Sequence, residues 1–196
     1  MRNRHWYDYL WLASLLYLTL GFFNILFAWL GLICFVTPLS LSLFGRGKVY
    51  CNRYCGRGKL FEILGGRFGL SRKKTPPPFL RSAWFRYGFL TFFMTMFILM
   101  IYSTYLVFIG APLEKTVTLL WTFKLPWHWT DVSIVTPWIA RFAFGFYGVM
   151  LTSTVLGLAT MIIFKPRSWC VYCPMGTMTQ IISKAKNNRG RPLWNI

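Results

Sequence analysis

Long apolar runs separated by basic segments constrain the fold of this chain more than any other feature. Residues 6–44 are almost continuously apolar, broken only by Asp8 and Asn24. This run is too long for one helix crossing about 30 Å of hydrocarbon, which takes about 20 residues. Gly21 and Asn24 offer a place to turn, so the run predicts a tight hairpin of two helices. One long tilted helix and a re-entrant segment are the alternatives.

Two further apolar runs each have the length of a membrane-spanning helix. They cover residues 84–109 and residues 137–164. The Trp-rich segment between them carries little net charge, and we expect an interfacial loop there with a half-buried helix at residues 116–123. Hydrophobic residues make up 56% of the chain, which is more than a soluble domain of this length needs. The pattern predicts an all-α integral membrane protein with about four transmembrane helices.

The distribution of basic residues predicts the orientation. The net charge of +18 comes from 22 basic and four acidic residues. A soluble protein with this balance would be a candidate for nucleic-acid binding, but here the basic residues flank apolar spans, so we expect membrane lipid as the partner and no nucleic acid. Residues 45–81 and 165–196 carry sixteen basic residues, whereas the segment between the last two spans carries Lys115 and Lys124. The positive-inside bias places both termini in the cytoplasm, in a multi-pass protein of the inner (cytoplasmic) membrane.

Four of the five cysteines form two pairs, and each pair follows an apolar span. In both pairs an aromatic residue precedes the first cysteine, a tyrosine precedes the second, and a glycine follows three residues later. The pairs are Cys51 with Cys55 and Cys170 with Cys173. Their matching flanks predict an internal duplication within a single membrane domain, residues 1–196, with two hairpin-plus-cysteine-motif halves at about residues 1–80 and 81–196. Cys34 lacks these flanks, so we expect it to serve only in packing.

Four thiolates brought together from two halves are the ligand set of one [4Fe–4S] or [2Fe–2S] cluster. Each motif leads into a predicted amphipathic helix, whose first-turn N–H groups would face the sulfur atoms, and Arg53, Arg57 and Lys59 would add positive charge there. A structural Cys₄ zinc site has the same ligands, and a quinone-coupled thiol–disulfide oxidoreductase also carries two cysteine pairs. The two histidines, His5 and His128, form no pair within the spans, so we predict no haem.

The two motifs resemble those of a known family. The sequences Tyr-Cys-Asn-Arg-Tyr-Cys-Gly-Arg-Gly-Lys-Leu-Phe-Glu and Trp-Cys-Val-Tyr-Cys-Pro-Met-Gly-Thr-Met-Thr-Gln are similar to the Cys-x-x-x-Cys-Pro-x-Gly-x-Leu-x-Glu pattern of membrane-bound, ferredoxin-type 4Fe-4S proteins. That family includes the integral-membrane iron–sulfur subunits of periplasmic nitrate reductase systems and the regulators of nitrous oxide respiration. Gly56 stands where the family usually has proline, and the second pair has one residue fewer between its cysteines. The chain carries no further ferredoxin-type cysteine run, so we expect one cluster.

The resemblance implies a membrane electron-transfer protein with one cytoplasm-facing cluster, [4Fe–4S] rather than [2Fe–2S], bound by Cys51, Cys55, Cys170 and Cys173. We expect a subunit of an oxidoreductase system rather than a stand-alone enzyme, with other redox subunits as partners. It would relay electrons between a ferredoxin- or flavodoxin-like cytoplasmic donor and either a quinone or an extracytoplasmic flavin or haem protein. The thiol–disulfide oxidoreductase and the zinc scaffold stay as alternatives.

Overall fold

The computed structural model describes residues 6–44, 51, 54–72, 74–120, 122–127, 130 and 135–189. The described part of the chain is mostly helical, with 76% of its residues in helices. In chain order the helices are α1 (Leu10–Phe23), α2 (Gly31–Leu43), α3 (Gly56–Glu62), α4 (Pro78–Arg81), α5 (Ala83–Ile109), α6 (Pro137–Ile163), α7 (Trp169–Tyr172) and α8 (Pro174–Arg189). The 3₁₀ segments Trp6–Tyr9 and Ile25–Leu30 precede α1 and α2, and the π-helical turn Ile63–Arg67 extends α3.

Among the described residues, three helices are long and apolar enough to cross a membrane. They are Ile25–Leu43, which joins a 3₁₀ segment to α2, and the 27-residue helices α5 and α6. The predicted runs at 84–109 and 137–164 are confirmed to within one residue at each end. Helix α1 has 14 residues and is not among the three, so the predicted count of four spans is not confirmed.

The first apolar run is broken at Asn24, as the sequence predicts. Asn24 has extended backbone angles, its N–H donates to Leu20 O at 2.8 Å, and its side chain accepts from Leu26 N–H at 3.1 Å. One residue therefore ends α1 and caps the next helical segment. Tyr17 and Gly31, each seven residues from this break, pack against each other, which shows that the two segments form a hairpin.

Helix α6 is the central helix of the bundle. Half of its most apolar stretch is buried, compared with 17% for α5. Small residues on α6 let its neighbours approach closely, as is usual where helices pack in membranes. A Cβ on Gly148 would lie 2.6 Å from the backbone oxygen of Thr118, so only glycine admits the extended segment that packs there.

The half-buried helix predicted at residues 116–123 is wrong, because this segment begins a β-hairpin. Strand β1 (Thr116–Leu119) pairs antiparallel with β2 (Phe123–Pro126). The run of β-branched residues at 116–118 favours an extended strand, and Val117 is fully buried in a cluster with α6. The pairing satisfies backbone groups that would otherwise be unpaired inside a membrane.

The β-hairpin reaches far along α6. The N–H of Leu120, a residue with a positive φ of 49°, donates to Thr152 Oγ1 at 3.3 Å. Thr152 lies about 22 Å along α6 from its first residue, Pro137, at about 1.5 Å per residue. Strand β1 therefore packs along the side of α6 rather than across the end of the bundle, whereas β2 is exposed.

Candidate metal centre

The second cysteine pair lies on a segment that folds back into the bundle. After α6 ends at Ile163 the chain turns, and Trp169 of α7 packs beside Gly157 of α6. Its ring also meets that of Phe93 in the middle of α5, with centroids 6.5 Å apart. Helix α8 then runs outward along α5, where its Gln180 accepts a hydrogen bond from Arg86 near the start of α5.

The first pair is brought to the same depth by α3. Arg57 Nη1 donates to Ser153 Oγ at 2.5 Å, the ring of Phe61 occupies the space left by Gly157, and Gly65 packs against Met161. These contacts advance along both helices in the same direction. Helix α3 therefore runs parallel to α6 and begins deep in the bundle, immediately after Cys55.

The structure brings the two predicted pairs together. Cys51, Cys55, Cys170 and Cys173 line one cavity of about 110 Å³. A cavity of about 10–15 Å³ already admits a water molecule, so this space can hold a group of several atoms. All four thiols are free of disulfide bonds.

The cavity lies deeper than the sequence alone indicates. It is lined by Met150 of α6 and by Arg57, which donates a hydrogen bond to Ser153. Ser153 lies about 15 Å from the last residue of α6, Ile163, at about 1.5 Å per residue. The sequence places the cysteines just past the ends of the spans, but α3 and α7 return them to the interior. The four cysteines are therefore partly buried between helices.

The backbone of the motif helices faces the sulfur atoms, as predicted. Cys55 caps α3, and the N–H of Gly58 donates to its Sγ at 3.4 Å. Cys173 occupies the equivalent position before α8 and receives backbone hydrogen bonds from Met175 and Gly176. Donors at a helix start stabilise a thiolate, and they would do the same for a negatively charged cluster.

Glycine leaves room beside the sulfur atoms. A Cβ on Gly58 would lie 3.6 Å from Cys170 Sγ and 3.7 Å from Cys55 Sγ, so a larger side chain at this position would project among the sulfurs. The site thus keeps open the volume that a cluster between the two pairs would need.

Of the three predicted cations, Arg57 faces the cavity. Its guanidinium lines the cavity and is held there by Ser153 and by the sulfur of Met150. Lys59 instead forms an ion pair with Asp8 at 2.7 Å, so its expected role beside the thiolates is wrong. Arg53 lies outside the described residues.

Burial changes the acidity of the thiols. It raises the pKa of Cys170 to about 12, and the neighbouring Cys55 and Cys173 contribute further in the same direction. Burial also raises the pKa of Cys173, against the opposing effect of its backbone hydrogen bonds. Without a metal these cysteines are neutral thiols at pH 7, so binding iron through them must release protons.

Sequence reasoning missed the position of Cys34. It lines the same cavity from α2, although nothing in its apolar surroundings distinguishes it from a packing residue. That it does not bind a metal stays a prediction. So does the absence of haem, because His5 and His128 lie outside the described residues.

The spacing of the side chains favours a cluster over a single ion. A tetrahedral zinc site needs thiolates about 2.3 Å from one ion. Within the described part of the chain, no three His, Cys, Asp or Glu side chains are close enough to hold a single metal ion. Four thiolates set around a larger cavity instead fit a group that bridges them through several iron atoms.

Comparison with known families supports an iron–sulfur cluster over a single ion. A family model described as 4Fe-4S binding domain matches residues 27–78 and 146–192, just over half of the chain. The chain belongs to the 4Fe-4S binding domain family. Each matched segment of this 4Fe-4S protein contains one of the two cysteine pairs. No curated protein and no solved structure matches the chain.

The position of Arg57 leads to a prediction about this 4Fe-4S protein. A reduced cluster is more negative than an oxidised one, so the nearby guanidinium favours the reduced state. We expect Arg57→Met to lower the midpoint potential by an amount on the order of 60 mV, equivalent to tenfold in a one-electron equilibrium. A redox titration followed by EPR measures it. Arg67→Met, at an exposed position, is the matched control, and equal potentials in the two variants would show that Arg57 has no such role.

Proposed function

We propose that this chain is a membrane electron-transfer protein in which Cys51, Cys55, Cys170 and Cys173 jointly bind one [4Fe–4S] cluster. The observation that carries the proposal is the meeting of both cysteine pairs in one cavity, in a chain of the 4Fe-4S binding family. A cluster at this position supplies one-electron chemistry. The protein's own residues would hold it, stabilise its charge through Gly58 N–H and Arg57, and cover one side of it with the ring of Trp169.

The proposed route carries electrons between a cytoplasmic donor and a membrane acceptor. The donor would be a ferredoxin- or flavodoxin-like protein or another redox subunit, and the acceptor a quinone or an extracytoplasmic flavin or haem protein. Basic side chains support docking of an acidic donor. Arg72 and Lys74 are exposed, and the N–H of Arg72 donates to Ile162 O at 3.1 Å, which fixes this surface at the end of α6 that the motif helices approach.

We further propose that the protein crosses the inner membrane four times, with both termini in the cytoplasm, and that its two halves are an internal duplication. In this arrangement α1 is the fourth span. Helix α3 packs against α1 and α6, and α8 packs against α5 and α2. Each motif helix thus contacts the first helix of its own half and the second helix of the other half. This exchange of contacts, together with the distribution of basic residues, supports the proposal.

Electron transfer requires that the cluster accept and release one electron reversibly. We expect purified protein to be brown, to gain an EPR signal on reduction with dithionite, and to lose that signal on mild reoxidation with the absorbance restored. A colourless protein whose thiols form and break disulfides under the same treatment would contradict the proposal and indicate a thiol–disulfide enzyme. A colourless protein that contains zinc would indicate a scaffold.

A further inference from the structure

A second, larger cavity lies between α5, α6 and strand β1. Its volume is about 370 Å³, within the range of about 300–1,000 Å³ that is usual for small-molecule sites. It extends along α6 from Arg141 to Val149, a distance of about 12 Å at about 1.5 Å per residue. It therefore lies towards the N-terminal end of α6, away from the end that the motif helices approach.

The lining of this cavity is divided into a polar end and an apolar end. Thr116, Arg141 and Ser103 provide polar groups at one end, and Met96, Met100 and Val149, together with Thr118, line the other, mostly apolar end. The hydroxyl oxygen of Thr116 is buried and makes no hydrogen bond to the described protein atoms. A buried hydroxyl without a partner is costly, and rotation about χ1 of Thr116 would exchange it with the methyl group and turn it towards the cavity, so a ligand that accepts its hydrogen bond would be stabilised.

The cavity has an opening towards the membrane. Leu99 lines it and has 49% of its surface exposed, whereas its neighbours Met96 and Met100 are 5% exposed. A ligand whose polar head lies beside Thr116 could therefore extend an apolar tail past Leu99 into the lipid.

A row of adjoining cavities links this space to the cysteines. Val149 lines both the large cavity and a smaller one of about 70 Å³. Cys173 and Arg57 line the smaller cavity and also the cysteine cavity. The Val149 end of the large cavity therefore adjoins the cavities that lead to the cysteines.

The electrostatics favour a neutral head group over a phosphate. The Arg141 guanidinium donates to Glu114 O at 3.0 Å, and its Nη2 lies 3.9 Å from the carboxylate of Glu114. This neighbouring carboxylate offsets much of the positive charge that an anionic lipid head would need. A carbonyl oxygen, in contrast, needs only a donor, which both Arg141 and the Thr116 hydroxyl provide.

We propose that this cavity binds the head group of a quinone, with Thr116 and Arg141 hydrogen-bonding to its carbonyl oxygens and the tail leaving past Leu99. This inference rests on the proposed electron-transfer function and identifies where its lipid-soluble partner binds. The test is calorimetric titration of the purified full-length protein in detergent with decylubiquinone. We expect saturable binding of one molecule per chain.

Two variants of one residue test the hydrogen bond. Thr116→Val should weaken binding about fivefold to tenfold, because one hydrogen bond is lost, whereas Thr116→Ser keeps the hydroxyl and should bind like the wild type. Ser103→Phe, which fills the cavity, should abolish binding. Thr91→Val is the control, because Thr91 is exposed on α5 and donates only to Tyr87 O.

Failure of the quinone-site proposal can be distinguished from failure of the cluster proposal. Cys170→Ser should lose the cluster and still bind decylubiquinone, which would support the quinone site. Wild-type affinity in both Thr116→Val and Ser103→Phe would overturn the inference. Loss of binding in Ser103→Phe with full binding in Thr116→Val would also overturn it, because the cavity would then accept any acyl chain without recognising a quinone head.

Discussion

Replacing any one of the four motif cysteines with serine should reduce the visible absorbance of the purified protein about tenfold, because soft thiolates are the ligands that hold iron–sulfur clusters. The four variants are Cys51→Ser, Cys55→Ser, Cys170→Ser and Cys173→Ser. Without one of these thiolates the cluster has three protein ligands instead of four and is lost more easily. The protein without a cluster should still fold, because the helix contacts of α3 and α8 do not depend on the sulfur atoms. Visible spectra and iron content, each normalised to protein, measure the effect.

Cys34→Ser is the matched control for this series. Cys34 lines the same cavity from α2, so it has the same access to iron but lacks the flanking motif. We expect it to keep the full absorbance. Full absorbance in both Cys51→Ser and Cys170→Ser would contradict the shared site, and a bleached Cys34→Ser would show that the ligand set has been misassigned.

Gly58→Leu should also reduce the cluster content of the protein about tenfold, although it removes no ligand. The reason is volume: a side chain at this position projects between Cys55 Sγ and Cys170 Sγ, and close-packed interiors do not tolerate an added group where another must fit. The same side chain would fill a cavity in the protein without a cluster, so we expect the helical content by circular dichroism to be unchanged.

The control for Gly58→Leu is Gly88→Leu. Gly88 lies on α5 with no atom near the position of an added Cβ, so the same substitution should leave the cluster in place. Full iron content in Gly58→Leu would show that the cavity between the two cysteine pairs is not where the cluster binds.

The bounds of the long helices could be predicted because local signals mark them. Pro137 has the fixed φ of a first helical residue, and Gly110, which follows α5, has a φ of +119° that favours glycine. The break at Asn24 was predictable for a similar reason, since its side chain competes for backbone donors. Each of these signals acts within one turn of the chain.

The β-hairpin and the depth of the site could not be predicted, because both depend on contacts between distant segments. Strand β1 begins at Thr116 and has only four residues. Its alternation of polar and apolar side chains is too short to predict a strand in place of a half-buried interfacial helix. The strand packs against α6 because Thr118 lies on Gly148, thirty positions further along the chain. Likewise, a basic residue such as Arg57 indicates an exposed loop in the sequence. Only the structure shows that Ser153 and Met150 accept its hydrogen bonds inside the bundle.

Within the candidate site, the residue types were predictable and their surroundings were not. The repeated flanks of the two pairs identified Cys51, Cys55, Cys170 and Cys173 as one set, and the structure brings them to one cavity. The pairing of Lys59 with Asp8 instead of with the sulfurs depends on where the first residues of the chain lie. No periodicity in the sequence carries that information.

Quantification of iron and acid-labile sulfide in the purified wild-type protein tests the central claim most directly. The account predicts four iron atoms and four sulfide ions per chain, the composition of the cluster that the family binds, with an EPR signal that appears on reduction. Two iron atoms and two sulfides per chain would contradict the [4Fe–4S] assignment. Zinc, or no metal at all, in protein purified without oxygen would contradict the iron–sulfur centre itself.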